Sequence, residues 1–185
     1  MNEILYKLYF FLFLFNAISC STTETDIVEE NNSLDIKRME VNFSLLGQFI
    51  FDQSNINGWQ RNDTLFTNVK DWAALKARVS FFEQKDNEMR DLEVYLERYS
   101  RRYQIFMEPI DLNMEISNDD QDHDGFPLGL RWNWRTRGID SGFLRVILVE
   151  DLDKSTPIFQ EGAYDGSSGT IIFDMTFPVQ IGEID

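Results

Sequence analysis

Three aspartates at alternate positions come closest to a chemical site in this chain. Asp120, Asp122 and Asp124 are followed directly by Gly125 and then by Phe126. Carboxylates at alternate positions can turn toward one point, and the glycine allows a sharp turn that brings in the next backbone carbonyl. Hard divalent cations prefer such oxygen ligands. The sequence therefore predicts a cation site formed by the three carboxylates and the Phe126 carbonyl.

Residues 120–127 resemble the DxDxDG calcium loop of EF-hands, dockerins and thrombospondin type 3 repeats. The resemblance implies a structural calcium ion as the cofactor. Arg131 stands where an EF-hand places its bidentate glutamate, so another strand or water would supply the last ligand and the affinity would be weak. The alternative is a solvated acidic hairpin loop between strands predicted at 110–116 and 128–134.

A second chemical option is a pair of carboxylates. Glu108, Asp111 and Glu115 lie close together in sequence, and glycoside hydrolysis needs two acids at the right separation. A small carboxylate-dependent glycan hydrolase is therefore an alternative function. The chain has 32 acidic residues, and in so acidic a sequence such clusters arise without a catalytic role. We favour a solvated outer face for these three side chains.

The composition offers few residues for catalytic arrangements that depend on histidine or cysteine. His123 is the single histidine and Cys20 the single cysteine. A histidine-based triad needs histidine as its base and a zinc site needs it as a ligand, but His123 lies inside the predicted cation loop and Cys20 is the predicted lipidation site. We interpret His123 as an exposed loop residue, and we expect a protein that is not an enzyme.

A segment rich in tryptophan and arginine is the candidate ligand face. Trp132 and Trp134 share one parity of a predicted strand, and Arg131 and Arg135 share the other. Aromatic rings stack on sugars and guanidinium groups bind carboxylates, so one hypothesis is that this strand is a binding face. The alternative, which we favour, places both tryptophans in the core with the arginines outside.

Trp59 is a further candidate for the ligand face. The stretch from Phe49 to Trp59, with Asp52 and Gly58, resembles the first strand of galactose-binding-like carbohydrate modules. The resemblance implies a β-sandwich that binds carbohydrate near Trp59. The alternative is that Trp59 covers the edge of the sandwich.

The charge of the chain limits its partners. Acidic residues outnumber the 17 basic ones, and the formal net charge is −15. A field of this sign repels phosphate backbones, so we expect no nucleic-acid partner.

The start of the chain is typical of an export signal. Residues 1–19 combine Lys7 with the apolar run 8–15, which is shorter than the ~20 residues of a membrane-spanning helix. The following Ala17-Ile18-Ser19-Cys20 resembles the lipobox of bacterial lipoproteins. The resemblance implies cleavage before Cys20, acylation of its thiol, and a lipid anchor in a cell-envelope membrane, facing the periplasm or the surface. The alternative is an ordinary signal peptide.

The remainder is predicted to be an acidic tether, residues 20–38, followed by a β-sandwich domain, residues 39–185. Apolar residues recur with a period near two in the runs 39–51, 110–116, 128–134 and 171–181, each with one apolar face. This pattern predicts an all-β, antiparallel β-sandwich, either immunoglobulin-like or jelly-roll. Residues 143–149 are apolar on both parities except Arg145, which predicts a central strand.

Residues 70–103 fit two periods. The first half alternates, whereas Leu92, Leu96, Tyr99 and Tyr103 have helical spacing. We predict strands for both halves because the residues after Tyr103 alternate, with a helix within 70–103 as the alternative.

Together these features predict a lipid-anchored envelope or cell-surface binding or interaction protein. Its ligand would be a carbohydrate or an envelope protein, and calcium would stabilise it. The alternatives are the glycan hydrolase and a purely structural envelope subunit.

Overall fold

The computed structural model describes residues 34–44, 47–54, 58–61, 65–67 and 74–182. The predicted signal sequence, Cys20 and Leu45 lie outside these residues. The strands within the described residues are β1 (Ile36–Phe43), β2 (Gly47–Ser54), β3 (Gly58–Arg61), β4 (Leu65–Thr67), β5 (Ala74–Lys85), β6 (Glu88–Asp91), β7 (Tyr103–Ile110), β8 (Met114–Asn118), β9 (Arg131–Thr136), β10 (Asp140–Glu150) and β11 (Thr170–Ile181). The helices are α1 (Glu93–Arg98) and α2 (Pro157–Gln160).

The strands form two sheets. The larger sheet has the order β3-β2-β1-β5-β9-β8, with β6 paired to β5, and the smaller sheet has the order β4-β11-β10-β7. Pairing is antiparallel throughout the described residues except between β4 and β11, which run parallel. The prediction of an all-β antiparallel sandwich is confirmed.

Aromatic contacts join the two sheets through their inner faces. Phe51 of β2 lies against Phe177 of β11, with ring centroids 4.8 Å apart. Phe81 of β5 meets Phe173 of β11 edge-on at 5.1 Å. All four rings are buried, because the period-two alternation places one face of each strand in the core.

Strand β10 is central, as its apolar sequence predicts. It pairs with β11 on one side and with β7 on the other. Residues 146–149 are fully buried on both faces. The outer face is covered because Phe159 of α2 and Tyr164 pack on Phe106 of β7, which forms a second small core.

The fold begins earlier than predicted. Strand β1 starts at Ile36, inside the segment 20–38 that the sequence assigns to a tether. Ile36 is buried and lies opposite Glu83 of β5, and a register shift follows before Arg38. Burial of the Ile36 side chain places this residue in the sheet, although its neighbours in the sequence are polar.

The segment 110–116 is not one strand. Strand β7 ends at Ile110 and β8 begins at Met114, which belongs to the other sheet. Asp111 between them adopts a left-handed φ of 54°, which breaks the extended backbone. Ile110 is therefore 39% exposed although Met114 is buried.

The two halves of 70–103 differ. The first half is strand β5, as predicted, whereas the prediction of a strand for the second half is wrong. Asp86 and Asn87 take positive φ values and close the short hairpin of β5 and β6. Helix α1 follows, and Leu92 and Leu96 are fully buried one helical turn apart. The helical spacing of these residues predicts their structure better than the alternation after Tyr103 does. No helix in the described residues has the length and apolar character of a membrane span.

Candidate functional site

The predicted cation-binding aspartates lie in a loop between β8 and β9, which we call the aspartate loop (residues 119–130). Strands β8 and β9 pair antiparallel, and a bridge between Gln121 and Pro127 narrows the loop. The loop thus joins two adjacent strands, as its acidic and glycine-containing sequence predicts. Helix α1 and the residues that follow it lie beside the loop, as the contacts below show.

Asp120 fixes the end of the loop that leads into β9. Its Oδ1 accepts a hydrogen bond from the Gly129 amide at 2.8 Å, and its Oδ2 accepts one from the Leu130 amide at 3.0 Å. Burial raises the pKa of Asp120, and these backbone hydrogen bonds act in the opposite direction. Gly129 has a φ of 91°, and a β-carbon there would lie 2.2 Å from the Ile105 carbonyl oxygen, so only glycine fits.

Asp122 shapes the turn itself. Its Oδ1 accepts hydrogen bonds from the Asp124 amide at 2.9 Å and from the Phe126 amide at 3.0 Å. Its Oδ2 lies 3.0 Å from the Nζ of Lys154, and the Asp122 side chain is completely buried. Both carboxylate oxygens are therefore bonded within the protein.

Lys154 supplies a cation from within the chain. Its ammonium donates to the Ser100 carbonyl at 2.7 Å and to the Pro127 carbonyl at 3.1 Å, in addition to Asp122. These three acceptors use all three ammonium hydrogens. Burial lowers the pKa of Lys154, and Asp122 opposes that shift. Lys154 thereby joins the aspartate loop to the turn after α1 and to the segment after β10.

Sequence reasoning missed Lys154. The residue stands in the polar stretch Asp153-Lys154-Ser155, which is typical of an exposed turn, and its acceptors are 27 to 54 residues away. No local spacing in the sequence signals this contact.

The other two predicted ligands also have protein partners. The carboxylate of Asp124 is bound by both the Nε and the Nη2 of Arg101, at 2.7 and 2.9 Å. The Phe126 carbonyl accepts the Asp122 amide at 2.8 Å. Among the described residues, no three His, Cys, Asp or Glu side chains form a group that could hold a metal ion. In this conformation the three carboxylates and the Phe126 carbonyl each have a partner within the protein, and calcium binding stays a prediction from the sequence.

A cleft of about 480 Å³ lies between α1 and the aspartate loop, and we call it the α1 cleft. Its polar lining includes Glu97 and Arg98 of α1, His123 of the loop and Arg131 of β9. Arg131 lies 3.4 Å from Glu97 and 3.5 Å from Glu93, and both contacts are long. Arg98 forms no ion pair with any residue that the structure describes. The α1 cleft therefore presents one guanidinium group that is shared with carboxylates and one, that of Arg98, that has no carboxylate partner among the described residues.

The two tryptophans of β9 are core residues. Trp132 is 2% exposed and its Nε1 donates to the Gly129 carbonyl at 2.6 Å. Trp134 is 1% exposed and its ring meets Phe43 edge-on at 4.6 Å. The hypothesis that they form a ligand face is wrong, because the apolar parity of β9 faces the opposite sheet.

The other members of the predicted ligand face lie elsewhere. Arg131 and Arg135 occupy the exposed parity of β9, and Arg131 reaches the α1 cleft. Trp59 lies on β3, and its side chain is outside the part of the chain that the structure describes.

The acidic cluster of the hydrolase hypothesis is spread over three elements. Glu108 on β7 accepts the Tyr164 amide at 3.0 Å and lies 3.4 Å from Arg145. Glu115 on β8 pairs with an arginine of the β9–β10 turn, and Asp111 lies exposed in the turn after β7. Glu108 and Glu115 thus link neighbouring elements. His123 is exposed, as predicted.

Comparison of the chain with protein families, with characterised proteins and with solved structures found no match. Functional inference therefore depends on the residues of this chain.

Proposed function

We propose that this chain is a lipid-anchored binding protein of the cell envelope, and that its α1 cleft binds an acidic carbohydrate. The observation that carries the proposal is the pair of guanidinium groups, Arg98 and Arg131, on the lining of a cleft of about 480 Å³. Small-molecule sites typically enclose roughly 300–1,000 Å³. The cleft thus has room for a short saccharide.

The chemistry of the lining suits a sugar that carries carboxylates. Guanidinium groups bind carboxylates with two parallel hydrogen bonds, and this geometry gives specificity as well as affinity. Glu97 and His123 offer further polar groups for hydroxyls, while Val94, which is 68% exposed, offers apolar surface for a sugar ring.

Asp120 and Asp122 also line the cleft, but backbone amides bind the first carboxylate and Lys154 binds the second. Arg98, which has no ion-pair partner among the described residues, would therefore provide most of the attraction for a uronic acid.

The cleft is backed by fixed structure. Lys154 and Asp120 hold the aspartate loop through buried hydrogen bonds, and Leu96 anchors α1 in the core. A binding site that is already ordered loses less conformational entropy when its ligand binds. These contacts support a preformed site.

Calorimetric titration of the full chain in detergent with oligogalacturonate tests the ligand. Binding should occur with the acidic oligosaccharide and not with its neutral galactose counterpart. Arg98→Gln should weaken binding about tenfold or more, since a hydrogen bond to a charged group is worth ~1.5–3 kcal/mol. Arg135→Gln is the matched control, because Arg135 is an exposed arginine that forms no ion pair within the described residues. Equal binding of neutral and acidic sugars would contradict the proposal.

Metabolic labelling with a palmitate analogue tests the anchor. The wild-type chain should be labelled and processed, and Cys20→Ala should accumulate as an unlabelled precursor. Ser21→Ala, one residue away, should be labelled as the wild type is. Continued labelling of Cys20→Ala would contradict the lipoprotein assignment.

A further inference from the structure

Strand β8 leaves one edge of the larger sheet open. It pairs with β9 on one side, and it is the last strand in the order of that sheet. The Asp119 amide donates to the Arg131 carbonyl, so the odd-numbered residues of this segment bond to β9. The backbone groups of Ile116 and Asn118 therefore point away from β9. Among the described residues, these two N–H and two C=O groups have no hydrogen-bond partner.

The usual protection of an edge strand is missing from β8. Proteins commonly block such edges with lysine, proline, a bulge or a covering loop. Strand β8 contains no lysine or proline, its register with β9 has no shift, and its one charged side chain, Glu115, is paired with Arg137. By contrast, the aspartate loop partly covers β7, the edge strand of the smaller sheet, because the Ile105 amide donates to the Leu128 carbonyl at 2.8 Å. An open edge of this kind can pair with another strand.

A cleft of about 560 Å³ lies beside the open edge, and we call it the β8 cleft. Residues 116–118 of β8 line it together with residues 160–162 at the end of α2. An occupant has to fit between these two elements. A single extended segment does so more readily than the edge strand of a folded sheet, which brings its neighbouring strands with it.

The charges of the β8 cleft favour a cationic occupant. The ionisable side chains on its lining are all acidic, namely Asp119, Asp120 and Glu161. Lys76 binds Asp119, and backbone amides bind Asp120. Glu161 is exposed and forms no ion pair with any residue that the structure describes. A lysine or arginine of the occupant would neutralise it, whereas a second copy of this −15 chain would be repelled.

We propose that the β8 cleft binds an extended segment of a partner protein in which lysine or arginine alternates with apolar residues. The segment adds to the larger sheet as an antiparallel strand beside β8, since antiparallel pairing is the more stable form. Its apolar side chains lie next to Ile116, which is half-buried and packs against the core. This inference goes beyond the proposed carbohydrate site and does not depend on it.

A synthetic peptide of eight residues that alternates lysine with valine tests the pairing, by calorimetry on the full chain in detergent. In an antiparallel strand, the residues opposite Ile116 and Asn118 share their face of the sheet and bond to their backbone. These residues are the valines. N-methylation of the valine amides should therefore weaken binding about tenfold or more, because it removes the donors that face β8. N-methylation of the lysine amides, which keeps the same composition and charge, should leave binding close to that of the parent peptide. Equal effects of the two methylated isomers would overturn the proposal.

A peptide that alternates glutamate with valine tests the charge selection. It should bind at least about ten times more weakly than the lysine–valine peptide. Glu161→Gln should weaken the lysine–valine peptide about threefold, as expected for one solvent-exposed ion pair. Glu88→Gln is the control, since Glu88 is an exposed residue of β6 that does not line the cleft. Equal binding of the two peptides, or equal effects of the two variants, would overturn the charge selection.

Two variants of one residue locate the site. Ile116→Pro removes a donor of the open edge, where proline is tolerated because the N–H does not bond to β9. It should weaken the lysine–valine peptide about tenfold, through the lost donor and the lost apolar contact. Ile116→Val keeps the donor and should bind like the wild type. Unchanged peptide binding by Ile116→Pro would overturn the assignment to β8, and so would sedimentation that shows a wild-type dimer lost in that variant. Oligogalacturonate titration of Ile116→Pro, which should match the wild type, shows that the variant is folded and separates this site from the carbohydrate proposal.

Discussion

The ammonium of Lys154 lies 3.0 Å from the carboxylate of Asp122, and both side chains are withdrawn from solvent. The pair sits at the centre of the aspartate loop, where the sequence predicts a divalent cation. An ammonium with three acceptors meets part of the same electrostatic need, because it neutralises a buried carboxylate and orders nearby carbonyls. The loop can therefore be ordered by the chain itself.

Removal of the lysine charge should strongly destabilise the fold. Lys154→Met keeps most of the side-chain volume but leaves Asp122 and two carbonyls without their donor. Loss of one partner of a buried ion pair costs ~3–5 kcal/mol. Lys76→Met is the control, since the Lys76 side chain is 74% exposed in its contact with Asp119 and solvent screens that pair, so the change in stability should be small. Urea unfolding of the two variants measures the difference.

The double variant Lys154→Met, Asp122→Asn separates charge from packing. It should recover part of the lost stability, because the buried carboxylate that lacked a partner is gone. Equal stability of the single and double variants would mean that the unpaired carboxylate of Asp122 is not the cause of the loss.

Thermal melts with calcium distinguish a calcium-binding loop, which the sequence pattern predicts, from a loop that is ordered by its own ion pairs. A calcium site with a Kd near 10⁻⁴ M would add about 2 kcal/mol at a few millimolar calcium, or roughly 4–8 °C in melting temperature. Because Asp122 is bonded to Lys154 and Asp124 to Arg101, we expect calcium and magnesium to have equal and small effects. A calcium-specific rise that is lost in Asp122→Asn would instead support the calcium loop.

The raised pKa of Asp120 should affect how the stability of the protein changes in acid. Burial raises its pKa above the ordinary 3.8, so between 3.8 and the raised value the native state binds more protons than the unfolded state. Stability from this group therefore increases as pH falls through that window, against the trend of the other carboxylates. Asp120→Asn should lose stability more steeply than the wild type as pH falls from neutral toward 3.8. Thermal melts across this range measure the slopes.

The pKa of Asp119 is shifted in the opposite direction from that of Asp120. Hydrogen bonds from Asn133 and Lys76 lower its pKa, so its stabilisation is present above 3.8 and is lost as pH falls below that value. Asp119→Asn should therefore lose stability less steeply than the wild type below about pH 4. Parallel slopes for both variants and the wild type would contradict the assigned environments.

The strands could be predicted because their information is local. An alternating run such as β11 has one face in the core, and the two-sided apolar run of β10 matches its central place in the sheet. Failures came where one residue changes the backbone, as at Asp111, or where the helical and alternating periods overlap, as at Leu92. Local propensity does not decide such points, and tertiary contacts do.

The candidate site was predicted only in part. The aspartate loop was located from its own residues, but its partners Lys154 and Arg101 lie 32 and 23 residues from the aspartates that they bind. Arg98 and Arg131 come together in the α1 cleft only because α1 packs beside the loop, and that packing depends on a helix where the sequence favoured a strand. Long-range pairing of this kind leaves no spacing in a single sequence.

Trp134 should be one of the costliest residues to truncate. It is 1% exposed, meets Phe43 edge-on, and its Nε1 contacts the sulfur of Met107 at 3.2 Å. Trp134→Ala would leave a large cavity between the sheets and should cost ~3–5 kcal/mol, measured by urea unfolding. Ile139→Ala, which removes an apolar side chain that is 81% exposed, should change stability by less than about 0.5 kcal/mol. A small loss for Trp134→Ala would contradict its place in the core and would reopen β9 as a ligand face.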